Sequence, residues 1–270
     1  MEEQTVKTKI AMSHFYVPTE EFKNVVAGDN HYIHIGSGKR LHDTDDEWVR
    51  KNIILDDSLE DNIADRNYTY CELTNIYFVW RNMDKLLDKD GEQVADTDYI
   101  GLCHYRRRFD TNMVDYALEH GSDIVCAPPA GIGRNTIDSQ YKLAHNAEDW
   151  EDFKGYLRES FLTTEMPRIT NDWLNYPALV APYNCFVMRK EIFEDWDNRI
   201  FPVLDDFYMK NKDKIDGRDN YQRRAMGFLG ERFTSWFITH MAARGNAVAM
   251  LPMTFDADAK PKDATDGRTM

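Results

Sequence analysis

The sequence lacks a long apolar segment. A membrane-spanning helix needs about 20 predominantly apolar residues, and the longest uncharged stretch, residues 173–188, is interrupted by two prolines and two asparagines. The first ten residues, MEEQTVKTKI, carry charges and no apolar signal core. We therefore expect a cytoplasmic chain with no membrane span and no secretion signal.

Cysteine is scarce, and the cysteines are far apart. The chain has four of them, and no two form a CxxC pair. Structural zinc sites and redox-active disulfides are commonly built on such pairs. Each cysteine also lies in an apolar segment, so we expect four buried free thiols in a reducing compartment.

Several nucleotide-binding and hydrolytic motifs are also missing. In Gly38-Lys39-Arg40, arginine stands where a Walker A loop needs serine or threonine. The glycines at 131 and 133 are followed by Thr136, where a dinucleotide-binding GxGxxG motif needs glycine. The sequence contains neither HExxH nor GxSxG. These absences argue against P-loop NTPases, Rossmann dehydrogenases, zincins and α/β-hydrolases.

Positive charge is in deficit. The chain has 33 lysine and arginine residues against 47 aspartates and glutamates, a net charge of -14. The mean field of such a chain repels phosphate, so we expect no nucleic-acid partner. A phosphate site on this protein must be local, made by a few basic side chains against an acidic background.

What the sequence does contain is an alternation of short strand patterns with longer helical ones. The 270 residues are enough for one large domain or two small ones. Strands are predicted at Lys9–Phe15, Tyr32–Ile35, Tyr99–Tyr105, Asp123–Ala127, Asn184–Met188 and Asn246–Leu251. Helices are predicted at Tyr68–Asp88, Glu148–Phe161, Lys190–Lys210 and Tyr221–Ala243, with Pro202 kinking or dividing the third.

This alternation predicts an α/β fold with a mostly parallel central sheet flanked by helices. The acidic segment from Asp43 to Asp61 is predicted to be a loop. We expect a folded domain over residues 9–255, between disordered ends at residues 1–8 and 256–270. Ligands of such sheets bind at the carboxyl ends of the strands, so chemistry is sought there.

The most informative segment is YIGLCHYRRRF at residues 99–109. An apolar strand ends and at once presents His104, Arg106, Arg107 and Arg108. Arginine forms bidentate, charge-assisted bonds with phosphate, so the cluster predicts an anion site in an otherwise acidic chain. The alternative is that these arginines pair with neighbouring acids such as those at positions 110 and 115.

Two other groups of residues lie near predicted strand or helix ends. His14 stands at the exit of the first strand, where a lone histidine is more often structural than a ligand. Asn62 and Glu72 flank the start of the first long helix, where they either cap it or contact a base or ribose.

The last predicted helix carries Arg224 and Glu231, seven residues apart and therefore on one helical face. They are candidate site residues or members of an internal salt-bridge ladder. Gly227, in mid-helix, costs about 1 kcal/mol relative to alanine. That cost indicates a close approach by backbone or ligand.

Metal-binding DxD patterns occur three times, at residues 43–45, 96–98 and 256–258. Two such carboxylates hold a divalent ion against a diphosphate in many sugar transferases. In a chain this acidic, solvated acidic loops are the favoured interpretation. No metal site is therefore assigned, and Mn²⁺ or Mg²⁺ is an optional cofactor.

Taken together, these motifs resemble the bacterial family called domain of unknown function 4422, found in capsular and exopolysaccharide gene clusters and regarded as glycosyltransferases. The resemblance covers about residues 9–255. It rests on Asp61-Asn62-Ile63, Tyr70-Cys-Glu-Leu-Thr74, Trp80-Arg81-Asn82, Tyr99 to Arg107, Tyr141 with His145, Tyr183 to Met188, Arg224, Gly227-Phe228 and Glu231-Arg232.

Three positions depart from the family pattern. Ala64 stands where a serine usually follows Asn-Ile, Phe15 replaces a lysine after the first-strand histidine, and Arg108 replaces an aromatic residue. The central His-Tyr-Arg-Arg is intact. No side-chain hydroxyl contact is available from position 64.

The resemblance implies a GT-A-like sugar transferase that uses a nucleotide-activated donor, with some relatives similar to galactofuranosyltransferases. On this hypothesis Arg106, Arg107 and Arg224 hold the diphosphate of a UDP-sugar together with His104. Glu231 is the candidate general base for direct, inverting displacement. The residues expected to bind nucleotide or sugar are His14, Asn62, Glu72, Tyr105 and Asn184. Tyr141, Trp173 and Tyr176 are candidate stacking surfaces for the acceptor, with core packing as the default expectation for Trp173.

The expected partners are a nucleotide-sugar donor and a glycan or lipid-linked acceptor. A lipid-linked acceptor would place the enzyme at the inner face of the membrane, although no basic amphipathic helix is evident. Two alternatives remain open at this point. One is a non-catalytic module that binds nucleotide sugars or glycans, and the other is a metal-dependent phosphodiester or pyrophosphate hydrolase.

Overall fold

The computed structural model describes residues 6–157 and 167–256. Its strands are β1 (Thr8–His14), β2 (Tyr32–Gly36), β3 (Ile53–Leu55), β4 (Tyr99–His104), β5 (Arg107–Phe109), β6 (Ile124–Cys126), β7 (Ala130–Gly131), β8 (Ala178–Leu179), β9 (Phe186–Arg189), β10 (Val248–Met250) and β11 (Met253–Phe255). Its helices are α1 (Glu20–Val26), α2 (Gly38–Leu41), α3 (Glu47–Asn52), α4 (Asn67–Tyr70), α5 (Leu73–Asn82), α6 (Thr111–Glu119), α7 (Ile137–Ala144), α8 (Ala147–Leu157), α9 (Pro167–Leu174), α10 (Lys190–Asp216) and α11 (Ala225–Ala243).

A largely parallel sheet forms the centre of the fold. Its main path runs in the order β10-β6-β9-β4-β1-β2-β3. Neighbours along this path are parallel except at β9, which is antiparallel to both β4 and β6. After a short turn, strand β5 folds back antiparallel on β4, and it also pairs antiparallel with β11. The predicted α/β architecture, a mostly parallel sheet flanked by helices, is confirmed.

Both faces of the central strands are buried. Along β1, Ala11 packs into one hydrophobic cluster with Leu102 of β4, and Met12 packs into another with Cys103 and with Phe22 of α1. A strand covered on both faces has no polar alternation, and this explains the continuous apolar runs in β1 and β4.

The acidic segment 43–61 is not only a loop, as predicted. It contains α3, which begins where the Asp46 side chain accepts a hydrogen bond from the Val49 amide at 3.0 Å. Ile53 then pairs with β2 at the edge of the sheet. The prediction is wrong for residues 47–55 because capping and the burial of Val49 outweigh the acidic composition.

The first long predicted helix is also interrupted. Cys71, at φ 54° and ψ -130°, separates α4 from α5, so the prediction of one helix over Tyr68–Asp88 is wrong. In contrast, α10 continues through Pro202, which was expected to kink or divide it. Proline removes a single backbone donor, and the buried side chains of Ile200 and Leu204 hold the adjacent turns in place.

Other predictions concern the cysteines and the ends of the chain. All four cysteines are free and buried, as predicted. Among the described helices, none has the length and apolarity that crossing a membrane requires. Strand β1 begins at Thr8, one residue before its predicted start. The rest of the predicted disordered ends, residues 1–5 and 257–270, and residues 158–161 of a predicted helix lie outside the described residues.

Candidate active site

Three segments of the chain meet at the carboxyl edge of the parallel strands. Strand β4 ends at His104, which pairs with Ser13 near the end of β1. Because β9 runs the opposite way, its first residue, Phe186, lies beside Leu102, and the loop before it reaches the same edge. This edge is where sheets of this type bind their ligands.

The loop that leads into β9 has an unusual backbone. Ala181, Tyr183 and Asn184 have φ angles of 48°, 68° and 53°, in the left-handed region that non-glycine residues rarely adopt. Such residues cost on the order of 1–3 kcal/mol each and persist only where the surroundings fix them. They are concentrated at functional sites.

Glu231 and His104 hold the backbone of Tyr183 from both sides. The Tyr183 amide donates to Glu231 Oε1 at 2.7 Å, and His104 Nε2 donates to the Tyr183 carbonyl at 2.7 Å. Burial lowers the pKa of His104, which favours the neutral imidazole. With its proton on Nε2, Nδ1 is an acceptor. His104 therefore holds the loop through its Nε2–H group.

A second set of contacts fixes the carboxylate of Glu231. Its Oε2 accepts from Arg232 Nη1 at 2.5 Å, and Arg232 Nη2 donates to Gln140 Oε1 at 2.6 Å. The Glu231 side chain remains 16% exposed. Each carboxylate oxygen has two lone pairs, so the group retains capacity to accept a further proton or hydrogen bond. An oriented, solvent-accessible carboxylate is what general-base chemistry needs.

Asn184 and Glu72 lie beneath the loop. Asn184 Nδ2 donates to Glu72 Oε1 at 2.7 Å, and Thr234 Oγ1 donates to Asn184 Oδ1 at 3.0 Å. The Asn184 side chain is fully buried and Glu72 nearly so. The sequence predicted that both contact nucleotide or sugar; in this geometry they support the site from below.

Arg224 is held beside the helix break. Its Nε lies 3.2 Å from Cys71 Sγ, and its guanidinium carbon lies 5.4 Å from the Phe228 ring centroid. Gly227 provides the room for this arrangement, since a Cβ there would lie 3.1 Å from Cys71 Sγ. The predicted close approach to Gly227 is present, but it is made by the Cys71 side chain and not, as predicted, by backbone or ligand. Of the predicted salt-bridge ladder, the described part of the chain shows the pair between Glu231 and its neighbour Arg232.

The arginine cluster divides between two sides of a hairpin. Arg107 and Arg108 are successive residues of β5 and so leave opposite faces. The guanidinium carbon of Arg107 lies 3.8 Å from the Tyr183 ring centroid and 5.0 Å from that of Phe255. Arg108 lies on the other side, with Nη1 4.0 Å from an Asp256 carboxylate oxygen.

The acids expected as alternative partners of these arginines are engaged elsewhere. Asp110 caps α6 by accepting from the Asn112 amide at 3.0 Å. Asp115 accepts from His31 Nε2 at 2.9 Å. Arg107, moreover, makes no ion pair or side-chain hydrogen bond within residues 6–157 and 167–256, so its charge is available to a ligand.

The remaining predicted residues do not contact Tyr183 in the described contacts. His14 is fully buried, and its Nε2 lies 2.9 Å from His34 Nδ1. Its ring stacks below the largely buried ring of Tyr105, and the guanidinium carbon of Arg106 lies 5.4 Å from the Tyr105 centroid. Asn62 Nδ2 donates to the Leu59 carbonyl at 2.6 Å and its Oδ1 accepts from the Ala64 amide at 3.1 Å, so its side chain shapes a turn.

The aromatic residues of the site differ from those expected. Tyr141 is 0% exposed and cannot receive a ligand, so the prediction that it stacks on sugar is wrong. Trp173 is 2% exposed and packs in the core, as its default expectation predicted. Tyr176 is exposed. Tyr183 and Phe255 were missed as site residues, because only the turn of the chain before β9 and the β5–β11 pairing bring their rings to Arg107.

The DxD segments are not gathered into a metal site. Asp45 is fully exposed and pairs with Arg50, with its Oδ1 2.7 Å from the arginine Nη2. Asp98 accepts from the Lys7 amide at 2.9 Å. Across the described part of the chain, no group of three or more His, Cys, Asp or Glu side chains is arranged to hold a metal ion. Asp258, in the third segment, lies outside it.

Comparison with known proteins adds a family and a fold. The sequence profile of the family described as Domain of unknown function (DUF4422) matches residues 20–242. No curated protein matches the chain.

One similar solved structure is described as "WbbM bifunctional glycosytransferase apo structure", with a TM-score of 0.71 and 21% sequence identity. The similarity covers 93% of this chain and 46% of that one, so this chain spans about half the length of the similar protein. At this identity the likeness is one of fold.

Proposed function

The chain belongs to the DUF4422 family, and from that premise we propose that it is a glycosyltransferase. It moves a sugar from a nucleoside diphosphate donor, UDP-linked, to a hydroxyl group of a glycan or lipid-linked glycan. The description of the similar structure as a glycosyltransferase supports the reaction class. The donor sugar, with galactofuranose as one candidate, and a role in capsular or exopolysaccharide synthesis come from the sequence resemblance.

One observation carries this proposal: an oriented carboxylate and a guanidinium that has no ion pair among the described residues are held by the same residue at the ligand edge of the sheet. Tyr183 binds Glu231 through its amide and Arg107 through its ring. Transfer from a nucleotide sugar needs a base for the acceptor and positive charge for the departing diphosphate. Here the Glu231 carboxylate and the Arg107 guanidinium both contact Tyr183.

In the proposed reaction Glu231 accepts the proton of the acceptor hydroxyl. The acceptor oxygen then forms a bond to the anomeric carbon as the bond from that carbon to the diphosphate oxygen breaks. Arg106 and Arg107 stabilise the negative charge that grows on the leaving nucleoside diphosphate, with Arg224 on the helix side. A single displacement of this kind inverts the configuration at the anomeric carbon.

The buried residues serve this reaction indirectly. His104 fixes the Tyr183 carbonyl, and Asn184 with Glu72 fixes the loop beneath it. His14 supports the ring of Tyr105. We propose positioning roles for these residues. A divalent metal is not needed in this scheme, although Mn²⁺ or Mg²⁺ would add to the positive charge.

The experiment that tests the proposal measures binding and cleavage of candidate donors. Thermal shifts are recorded with UDP, UDP-glucose and UDP-galactose, with Mn²⁺ or EDTA, because a ligand that binds the folded state raises the midpoint. Release of UDP is then followed with and without sugar acceptors. We expect a donor that raises the midpoint and is slowly hydrolysed to UDP and free sugar.

Glu231→Gln should keep donor binding and lower turnover by about 10²- to 10⁴-fold, the usual contribution of a general base. The exposed Glu119→Gln on α6 is the matched control and should behave as wild type. Donor binding without any turnover would instead identify a binding module. Release of UMP and sugar phosphate, abolished by EDTA, would identify a metal-dependent hydrolase. Failure to bind any nucleotide would contradict the proposal.

A further inference from the structure

Three side chains form a stack at the rim of the candidate site. The guanidinium carbon of Arg107 lies over two aromatic rings, 3.8 Å from the Tyr183 centroid and 5.0 Å from the Phe255 centroid. Tyr183 is 41% exposed and Phe255 is 57% exposed. Among the described residues, no other aromatic ring packs on either of them. An aromatic surface of this size is therefore open to a ligand in a strongly acidic protein.

The stack is held rigidly from the protein side. Phe255 and Arg107 are paired across β11 and β5, so they lie on the same face of these two antiparallel strands. The Tyr183 backbone is bound at its amide by Glu231 and at its carbonyl by His104. A ring with so little freedom loses little conformational entropy when a ligand covers it.

A saturated sugar ring is the ligand whose chemistry fits this surface. One side of such a ring presents C–H groups that pack on an aromatic face, and its rim presents hydroxyls that hydrogen-bond to carboxylates and arginines. Glu231, bound to the Tyr183 amide, supplies a carboxylate beside the stack. A nucleobase is disfavoured here, because it lies at the far end of a nucleotide sugar from the reacting carbon, whereas Glu231 acts at the reacting centre.

We propose that the Tyr183–Arg107–Phe255 stack is the binding platform for the sugar ring of the acceptor. The inference rests on the proposed function, since it takes Glu231 as the base that deprotonates the acceptor. It also gives Arg107 two tasks. The faces of its guanidinium hold the platform together, while the N–H groups along its edge bind the donor diphosphate, so acceptor and donor meet across one side chain.

The test separates recognition of the ring from folding of the loop. Tyr183→Ala removes the ring but keeps a Cβ at the same positive φ, so the backbone strain is unchanged. Tyr183→Phe keeps the ring and removes only the hydroxyl. Tyr183→Leu keeps apolar volume without a flat surface, and it replaces the alanine variant if that variant does not fold. The 65% exposed Tyr116→Ala on α6 is the matched control.

The probes are methyl and octyl glycosides of glucose, galactose and N-acetylglucosamine, with the donor that the wild type hydrolyses. Saturation-transfer NMR measures binding, and initial rates give KM and kcat for the acceptor. We expect Tyr183→Ala and Tyr183→Leu to raise acceptor KM by about fivefold or more, from the size of an aromatic stacking contact. Tyr116→Ala should match the wild type, and Tyr183→Phe, which keeps the ring, should raise acceptor KM less than Tyr183→Ala does. Arg107→Lys, which keeps the charge but not the flat guanidinium, should also raise acceptor KM.

An unchanged acceptor KM in Tyr183→Ala or Tyr183→Leu would overturn the inference and leave the proposed function standing. So would a wild type that hydrolyses the donor but shows no saturation transfer to any glycoside. A wild type that neither binds nor hydrolyses a nucleotide sugar would remove the proposed function, and this inference with it.

Discussion

Replacing Gly227 by alanine tests how tightly α11 is packed against the helix break at Cys71. An alanine Cβ would lie 3.1 Å from Cys71 Sγ, 3.2 Å from Cys71 Cβ and 3.7 Å from the Tyr70 carbonyl oxygen. The first two distances are shorter than the roughly 3.5–4.0 Å at which carbon atoms attract each other. Something must therefore move when the methyl group is added.

Two opposing effects set the sign of the change. Alanine is favoured over glycine in a helix interior by about 1 kcal/mol. Overpacking of a well-filled core costs about 1–3 kcal/mol. Cys71 has little freedom to yield, because its φ is 54° and its Sγ is bound to Arg224 Nε. We therefore expect overpacking to prevail, and Gly227→Ala to lower the free energy of unfolding by about 1 kcal/mol.

A double-mutant cycle with Cys71→Gly isolates the contact. Glycine at position 71 removes both atoms that clash and adopts a positive φ without strain. In that background Gly227→Ala should raise the free energy of unfolding by about 1 kcal/mol, which gives a coupling energy of about 2 kcal/mol. Urea denaturation of the four proteins measures it. Gly155→Ala on α8, where nothing lies within 4 Å of the new Cβ, is the control and should be stabilising. Equal effects of Gly227→Ala in both backgrounds, within about 0.5 kcal/mol, would refute the close contact.

Three further predictions concern buried charge, pH and the arginine cluster. Burial raises the pKa of Asp197 well above 3.8, and its carboxylate has no hydrogen-bond partner among the described residues. Because this carboxyl ionises in the unfolded chain at a lower pH than in the folded protein, the wild type loses stability as pH rises. Asp197→Asn should accordingly be more stable than wild type in urea at pH 8, and the difference should shrink as the pH falls towards 4. The hydrogen bond to Asp29, with the charge of Asp115, raises the pKa of His31 above 6.5, so its stabilisation is complete below pH 6.5 and is lost as pH rises through the raised value. His31→Gln should thus be most destabilising in acid, and an effect independent of pH would contradict this assignment. Arg106→Ala should lower donor turnover at least about tenfold with its thermal midpoint kept, and near-normal turnover would rule out its role at the diphosphate.

The central sheet could be predicted because its strands are buried on both faces. Continuous apolar runs such as YIGLC before His104 mark β4, and the basic residues that follow mark its end. The same reasoning predicted that Arg107 lies just after the end of a buried strand. The energetic cost of a glycine in mid-helix predicted a close contact at Gly227. These features depend on a few neighbours in sequence, and composition and periodicity report on such neighbours.

The residues that were missed depend on contacts between distant parts of the chain. The left-handed backbone of Tyr183 has no local signal, since no glycine marks it. It is stabilised by Glu231, 48 residues away in sequence. Cys71 breaks a strongly periodic helix pattern for a similar reason, because Arg224 and Gly227 receive its side chain. Periodicity predicts a helix, and only the tertiary contacts account for the interruption.

The two unusual backbone segments share a support, and this connects the halves of the site. Cys71 directly precedes Glu72, whose carboxylate binds Asn184, and Asn184 directly follows Tyr183. Strain of about 1–3 kcal/mol at each left-handed residue is retained only if these bonds are kept. Any change that releases Cys71 is therefore felt at Tyr183 through Glu72. Helix α5 contributes no side chain to the arginine cluster, but it begins immediately after Glu72, the residue that binds Asn184 in the loop before β9.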